Sequence, residues 1–199
     1  NSANGSWGTP DMANQDTKHG VLVLGGALVY VRTGNAAMRA KVRDGILAGK
    51  RTHDDLPEYG RTLSLGRQLC AYVIAADLID LESFDPAADA EFRPWVASMR
   101  TTVLPLSNSR WPTLVRTHEN SANNWGTFAG ASRIAASLYL GDTADVARAA
   151  NVFRAWLGER AYYPTGLPWG DYFEPTSNWS TLGVTWACDP VNWVAVNPP

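Results

Sequence analysis

Cysteine, histidine and charge are all scarce in this 199-residue chain, and no apolar run approaches the length that crosses a membrane. Cys70 and Cys188 are too few for a disulfide framework, and their spacing does not decide whether they pair. The three histidines, His19, His53 and His118, fall in separate segments with no His-x-x-x-His or Cys-x-x-Cys spacing. That excludes the common zinc signatures, so neither a metal nor another cofactor is expected. No glycine-rich phosphate loop is present, since Gly25 and Gly26 sit inside a helical period, and no serine occupies a Gly-x-Ser-x-Gly elbow. Only 18% of residues are charged and the net charge is -2, which offers no basic patch for nucleic acid and no polybasic segment for a membrane surface. No signal peptide is visible, but the chain does not begin with Met and reads as a processed or truncated piece, so the missing signal does not count against export.

What the chain has is apolar and aromatic. Hydrophobic residues make up 45% of it, enough for one domain with a real core. Nine Trp and seven Tyr are many for this length. Trp7, Trp111, Trp125, Trp169, Trp179, Trp186 and Trp193 lie in segments that read as loops or helix ends, where a large aromatic either pins a loop to the core or holds a ligand. Asn4-Gly-Ser6 and Asn178-Trp-Ser180 match the N-glycosylation triplet, which matters only in a secreted eukaryotic protein.

Apolar residues recur at helical spacing from His19 to about Leu157. Val21, Leu24, Leu28 and Val31 predict the buried stripe of a first helix that Gly34 stops, and Asn35 then caps a second over roughly residues 36–48. Leu65, Leu69, Tyr72, Ala76 and Ile79 predict a long third helix. Asp85-Pro86 is a cap and first-turn signal for a fourth bearing Phe92, Val96, Met99 and Val103. Phe128, Ala131, Ala135 and Leu138 mark a fifth, stopped by Gly141, and Asp142 or Thr143 caps a sixth with Val146, Ala150, Phe153 and Leu157. Three hairpins in series predict an all-α chain, either a curved α/α toroid or a compact bundle. Beyond Gly158 the composition turns to Pro, Gly, Trp and Tyr with no helical period, a long loop-rich C-terminal segment within one domain spanning 1–199.

The run from Arg116 to Arg133 carries the candidate site. Asn120 or Ser121 can cap the helix that follows, but a cap needs one side-chain oxygen and leaves His118, Glu119, Asn123, Asn124 and Trp125 without a structural task. Two amides beside an indole suit a sugar: amides donate to hydroxyl or carboxylate groups while the indole covers the apolar face of the ring. Asn14, Gln15, Asp16 and His19 precede the first helix, whose amino end favours anions, and form either a second edge of the cleft or a cap network. Arg133, within an apolar helix, pairs with a carboxylate such as Asp77 or Asp80 or reaches the substrate.

Taken together, Ser6-Trp-Gly-Thr-Pro-Asp-Met-Ala-Asn-Gln-Asp16, His19, Leu28-Val-Tyr-Val-Arg-Thr-Gly34, Ala75-Ala-Asp-Leu-Ile-Asp80, Asn123-Asn-Trp-Gly126, Gly130-Ala-Ser-Arg133, Tyr139-Leu-Gly-Asp142 and Trp186-Ala-Cys-Asp-Pro190 resemble the alginate lyase-like polysaccharide lyases. The resemblance spans nearly the whole chain. It implies an α/α toroid, in secreted or periplasmic microbial proteins, that cleaves a uronic-acid-containing polysaccharide such as alginate or glucuronan by β-elimination. Such proteins are longer, so the resemblance also implies an incomplete toroid that the rest of the protein would complete. Well-studied members carry Asn-Asn-His at the inner helix mouth, with the His in catalysis, whereas the third place here is Trp125, and the later-helix Arg and Tyr have no clear match.

Under that reading a second negative charge builds beside the uronate carboxylate as its α-proton leaves, so donors must be aimed there. Asn124 and Asn123 fit that role, His118 or His19 stands for the base, and Tyr163 or Tyr172 for the proton donor to the leaving oxygen. Trp125, Asn14, Gln15, His19, Glu119 and Arg133 complete the substrate-binding set. Two alternatives use the same residues. An inverting glycoside hydrolase would pair Glu119 with Asp16 or Asp171, and a non-catalytic glycan-binding protein would hold sugar on Trp125 and the loop aromatics.

Overall fold

Gly34 and Asn35 end one helix and begin the next, as their chemistry requires. Gly34 adopts φ 67°, a left-handed conformation that costs glycine little, and its N–H returns to the Tyr30 carbonyl, while the Asn35 side chain accepts from the Met38 amide. The computed structural model describes residues 5–52, 61–105, 112–121 and 123–156. Among them every regular element is a helix: α1 (His19–Thr33), α2 (Ala36–Arg51), α3 (Thr62–Leu78), the single turn α4 (Leu81–Phe84), α5 (Pro86–Met99), α6 (Leu114–Asn120), α7 (Asn124–Tyr139) and α8 (Thr143–Trp156). The all-α expectation holds.

Two further expected signals act as predicted. Pro86 opens α5 while the Asp85 side chain accepts from the Ala88 amide, and Gly141 at φ 72° ends α7 before Asp142 accepts from the Asp145 amide to start α8. One helix was not foreseen. Residues 114–120, where the sequence predicts no helix, form α6, capped by Thr113, whose side-chain oxygen accepts from the Arg116 amide.

The direction of each helix follows from its contacts. Val42 crosses Gly26 and Val23 crosses Gly45, so α1 and α2 are antiparallel; Arg39 reaches the Ile79 carbonyl while Gly49 lies against Tyr72, so α2 and α3 are antiparallel as well. Thus α1 and α3 run the same way. Gly66 lies against the backbone of Phe128 and Ala129, and Ser132 Oγ bonds the Cys70 amide and the Gly66 carbonyl, so α7 is parallel to α3. The amino ends of α1, α3 and α7 therefore lie at one end of the molecule. That end also holds residues 14–19, because Gln68 donates to the Thr17 carbonyl and Arg67 to the Gln15 carbonyl.

The core departs from the predicted stripes in an instructive way. Leu65, Leu69, Tyr72, Ala76 and Ile79 are buried as expected, as are Phe92, Val96 and Met99. By contrast Val21, Leu28 and Val31 in α1 are more than half exposed, at 63%, 55% and 56%, and the inward face is Gly20, Val23, Gly26 and Ala27. The predicted α7 stripe is likewise displaced: Leu138 and Ala131 are exposed, Phe128 and Ala135 half-buried, and Gly126, Ala129, Gly130, Ser132, Arg133, Ala136 and Ser137 face inward. In α8, Ala149 and Val152 are buried instead of Ala150 and Phe153; Val103 lies exposed beyond α5, and Leu157 is outside the described residues. Small residues face inward because the helices approach so closely. A Cβ on Gly26 would come within 2.7 Å of the Trp7 ring, and one on Gly66 within 2.9 Å of the Ala129 amide nitrogen. Trp7 thereby performs the pinning role, wedged against Gly26 and Gly45 under the Lys41 ammonium.

Candidate functional site

Asn123, not Asn120 or Ser121, caps α7: its Oδ1 accepts from the amides of Trp125 at 2.9 Å and Gly126 at 3.3 Å. One oxygen satisfies two orphan donors, and the amide's NH2 group has no partner among the described residues. Asn124 follows as the first helical residue, exposed, with a side chain that bonds to none of them. Trp125 is half-buried beside it.

The starts of the two parallel helices lie at the same end of the molecule. His19 opens α1 and is buried, its Nδ1 2.8 Å from the Tyr72 hydroxyl, and Nε2 has no partner among the described residues. Burial holds the His19 pKa below its ordinary value and pushes the Tyr72 hydroxyl up. Neither Lys18 before α1 nor Arg61 before α3 caps its helix with a side chain, and at α1 the His19 amide donates instead to Thr17 Oγ1 at 3.5 Å. Asn14 is exposed, and its Oδ1 accepts from the Asp16 amide; Gln15 uses its carbonyl on Arg67. The structure thus brings Asn14, Gln15, His19, Asn123, Asn124 and Trp125 to one end.

Glu119, His118 and Arg133 lie behind that turn in a buried charge network. Arg133, with no exposed surface, reaches Asp145 with Nη2 at 2.5 Å and Nε at 3.0 Å, and Glu119 with Nη1 at 3.1 Å. Arg148 closes on Glu119 at 2.6 Å, and Arg100 on Asp142 at 2.7 Å and Asp145 at 3.5 Å. Three guanidinium groups meet three carboxylates, so the cluster balances. For Asp145 burial alone would raise the pKa, but hydrogen bonds from Arg133 and Ser137 and the neighbouring guanidinium charges hold it at about 2. Arg133 therefore meets Glu119 and Asp145 in place of the anticipated Asp77 or Asp80. The His118 ring lies against Gly130, where a Cβ would come within 2.7 Å, and Nδ1 is 3.4 Å from Arg133. Burial first, then the Arg133 charge, pushes its pKa down to about 3 against the opposing pull of Asp145.

Sequence reasoning missed several members of this region. Arg67 stands between residues 15–16 and Phe128, and only the fold brings these together. Ser64 and Gln68 on α3, and Asn120 and Ser121 at the α6–α7 turn, each bury an oxygen with no hydrogen-bond partner among the described residues, a cost that water or a ligand hydroxyl relieves. Among the described residues no group of three or more His, Cys, Asp or Glu could hold a metal, and no helix is long and apolar enough to cross a membrane. Tyr163, Tyr172, Asp171, His53 and Cys188 lie outside the described residues; Cys70 is a half-buried free thiol.

The described residues are thus helical, with an amide pair and an indole at the start of α7. The family model for alginate lyase matches residues 39–167, more than half of the chain, and includes the Asn123-Asn124-Trp125 turn. The chain belongs to the alginate lyase family. That membership implies lyase activity on a polysaccharide. No curated protein and no solved structure matches the chain.

Proposed function

We propose that this protein cleaves a uronic-acid-containing polysaccharide, of the alginate or glucuronan type, by β-elimination. The observation that carries the reading is the α7 start, where the NH2 groups of Asn123 and Asn124, which have no partner among the described residues, sit beside Trp125 at the end that gathers the amino ends of α1 and α3. Three parallel helix dipoles present their positive ends there, and an anionic sugar is stabilised by that field. Asn124 is the donor to the carboxylate as enediolate charge develops, and Trp125 covers the apolar face of the ring.

His19 is the better base of the two histidines. In the tautomer whose Nδ1–H donates to the Tyr72 oxygen, Nε2 carries the lone pair, and burial lowers the pKa and so keeps the ring neutral at neutral pH. A conjugate acid near pKa 3 makes His118 a weak base, and its ring is packed on Gly130 behind the site. Arg133 and Glu119 serve the reaction by holding α6, α7 and α8 together, not by touching sugar. The glycoside hydrolase alternative gains nothing from this arrangement, because Glu119 is buried between Arg133 and Arg148 while Asp16 is exposed. An extracellular or periplasmic location fits the family and the proposed polymer substrate.

Incubation of the protein with alginate and glucuronan tests the reading directly. A lyase leaves an unsaturated sugar that absorbs in the ultraviolet; new reducing ends without that absorbance would indicate hydrolysis, and an intact polymer retained by the protein would indicate binding alone.

A further inference from the structure

Arg67 projects from the second turn of α3 with its guanidinium carbon 5.0 Å from the centre of the Phe128 ring. Phe128 is one helical turn after Asn124, so the two share a face of α7 about 6 Å apart along its axis, a spacing on the scale of one sugar residue. The guanidinium is poorly satisfied. Its Nη1 is 3.4 Å from the Gln15 carbonyl and 3.6 Å from Asp16 Oδ1, and Nε and Nη2 have no partner among the described residues. The side chains are 37% and 77% exposed, and exposed pairs at this distance contribute little. An Arg fork stacked on an aromatic ring with two idle N–H groups is suited to a carboxylate taken side-on.

We infer that Arg67 binds the carboxylate of a uronate neighbouring the one at Asn124, and that Asp16 occupies that place when the polymer is absent. The inference rests on the proposed function in placing the reacting sugar at Asn124. Two signs follow from it. Removing the guanidinium weakens the polymer's hold, whereas removing the Asp16 charge strengthens it by deleting a competitor, a sign that a purely structural ion pair does not produce.

The test uses the whole chain, oligosaccharides prepared from alginate and from glucuronan, and the same oligosaccharides with their carboxyl groups reduced to alcohols. Arg67→Ala should raise KM by about tenfold, the effect of losing a charged hydrogen bond, with kcat within about twofold, and Arg67→Lys should fall between it and the parent. Asp16→Asn should lower KM by about two- to threefold, and both shifts should shrink in high salt. Reduced oligosaccharides should not distinguish the variants. Asp16→Asn leaving KM unchanged or raising it, or Arg67→Ala weakening charged and reduced oligosaccharides alike, overturns the inference; if Arg67→Ala does not fold, the Asp16→Asn and Arg67→Lys measurements decide. Should the parent yield no ultraviolet-absorbing product, the lyase reading fails by itself, and the same variant pattern in calorimetric Kd values still decides the role of Arg67. Failure of the parent to bind either kind of charged oligosaccharide overturns the inference as well.

Discussion

Glu119 and Asn124 are separated by one tight turn, yet Glu119 is buried between two guanidinium groups whereas the side chain of Asn124 is exposed and bonds to no described residue. The last turn of α6 and the inward face of α7 form a dry region in which each charge has its counterion. The first turn of α7 forms a more open region in which the Asn123 NH2 group and the exposed Asn124 side chain have no partner among the described residues. Burying Arg133 required a carboxylate partner for each of its three guanidinium nitrogens, because an unpaired charge in the interior is prohibitively costly. The dry region is stability; the open one is capacity for a ligand, and the first holds the second rigid.

Breaking the dry side should have the largest effect. Arg133→Ala leaves Glu119 and Asp145 without their central cation and is expected to cost about 3–5 kcal/mol in chemical denaturation. A loss below about 1 kcal/mol would show that the network is not what holds α6, α7 and α8 together. On the open side, Asn124→Ala should reduce kcat by about two to three orders of magnitude while the melting temperature stays nearly constant. Equal losses in kcat and in substrate affinity would remove the transition-state role assigned to that amide.

Acid should separate the two regions. The folded His118 pKa of about 3 lies below its unfolded value near 6.5, so its contribution to stability is complete above about pH 6.5 and declines as pH falls toward 3, by up to about 1.4 kcal/mol per unit. Asp145, held at about 2 from an ordinary 3.8, adds a loss of the same sign only at lower pH. His118→Gln should therefore flatten the dependence of melting temperature on pH between about 4 and 6.5, and an unchanged slope would mean that the ring is not buried neutral. The smallest effect is expected at Trp125→Ala, about tenfold weaker binding of oligosaccharide with a small change in melting temperature. A large drop in melting temperature with unchanged affinity would move Trp125 to the dry side.

Helix starts and stops were legible because they are local. Gly34, Asn35, Asp85-Pro86, Gly141 and Asp142 each act within four residues of themselves, so the chain announces them wherever it folds. Which face of a helix turns inward was less legible. Periodicity ranks faces by apolar content, and α1 and α7 invert that ranking by turning glycine, alanine and serine toward their neighbours.

The sequence by itself determined an all-helical chain, the positions of most helix ends, the alginate lyase resemblance and the polar composition of the α7 mouth, because each depends on neighbours along the backbone. Only the tertiary structure decided that Asn123 is the cap and Asn124 is exposed, that Arg133 answers to Glu119 and Asp145, that His118 is buried with its pKa pushed down while His19 meets Tyr72, and that Arg67 stands beside Phe128. The reason is physical. Charge state and hydrogen-bond availability depend on desolvation and on partners up to 66 residues away, such as Ser132 at the Gly66 carbonyl, and neither is a property of the residue itself.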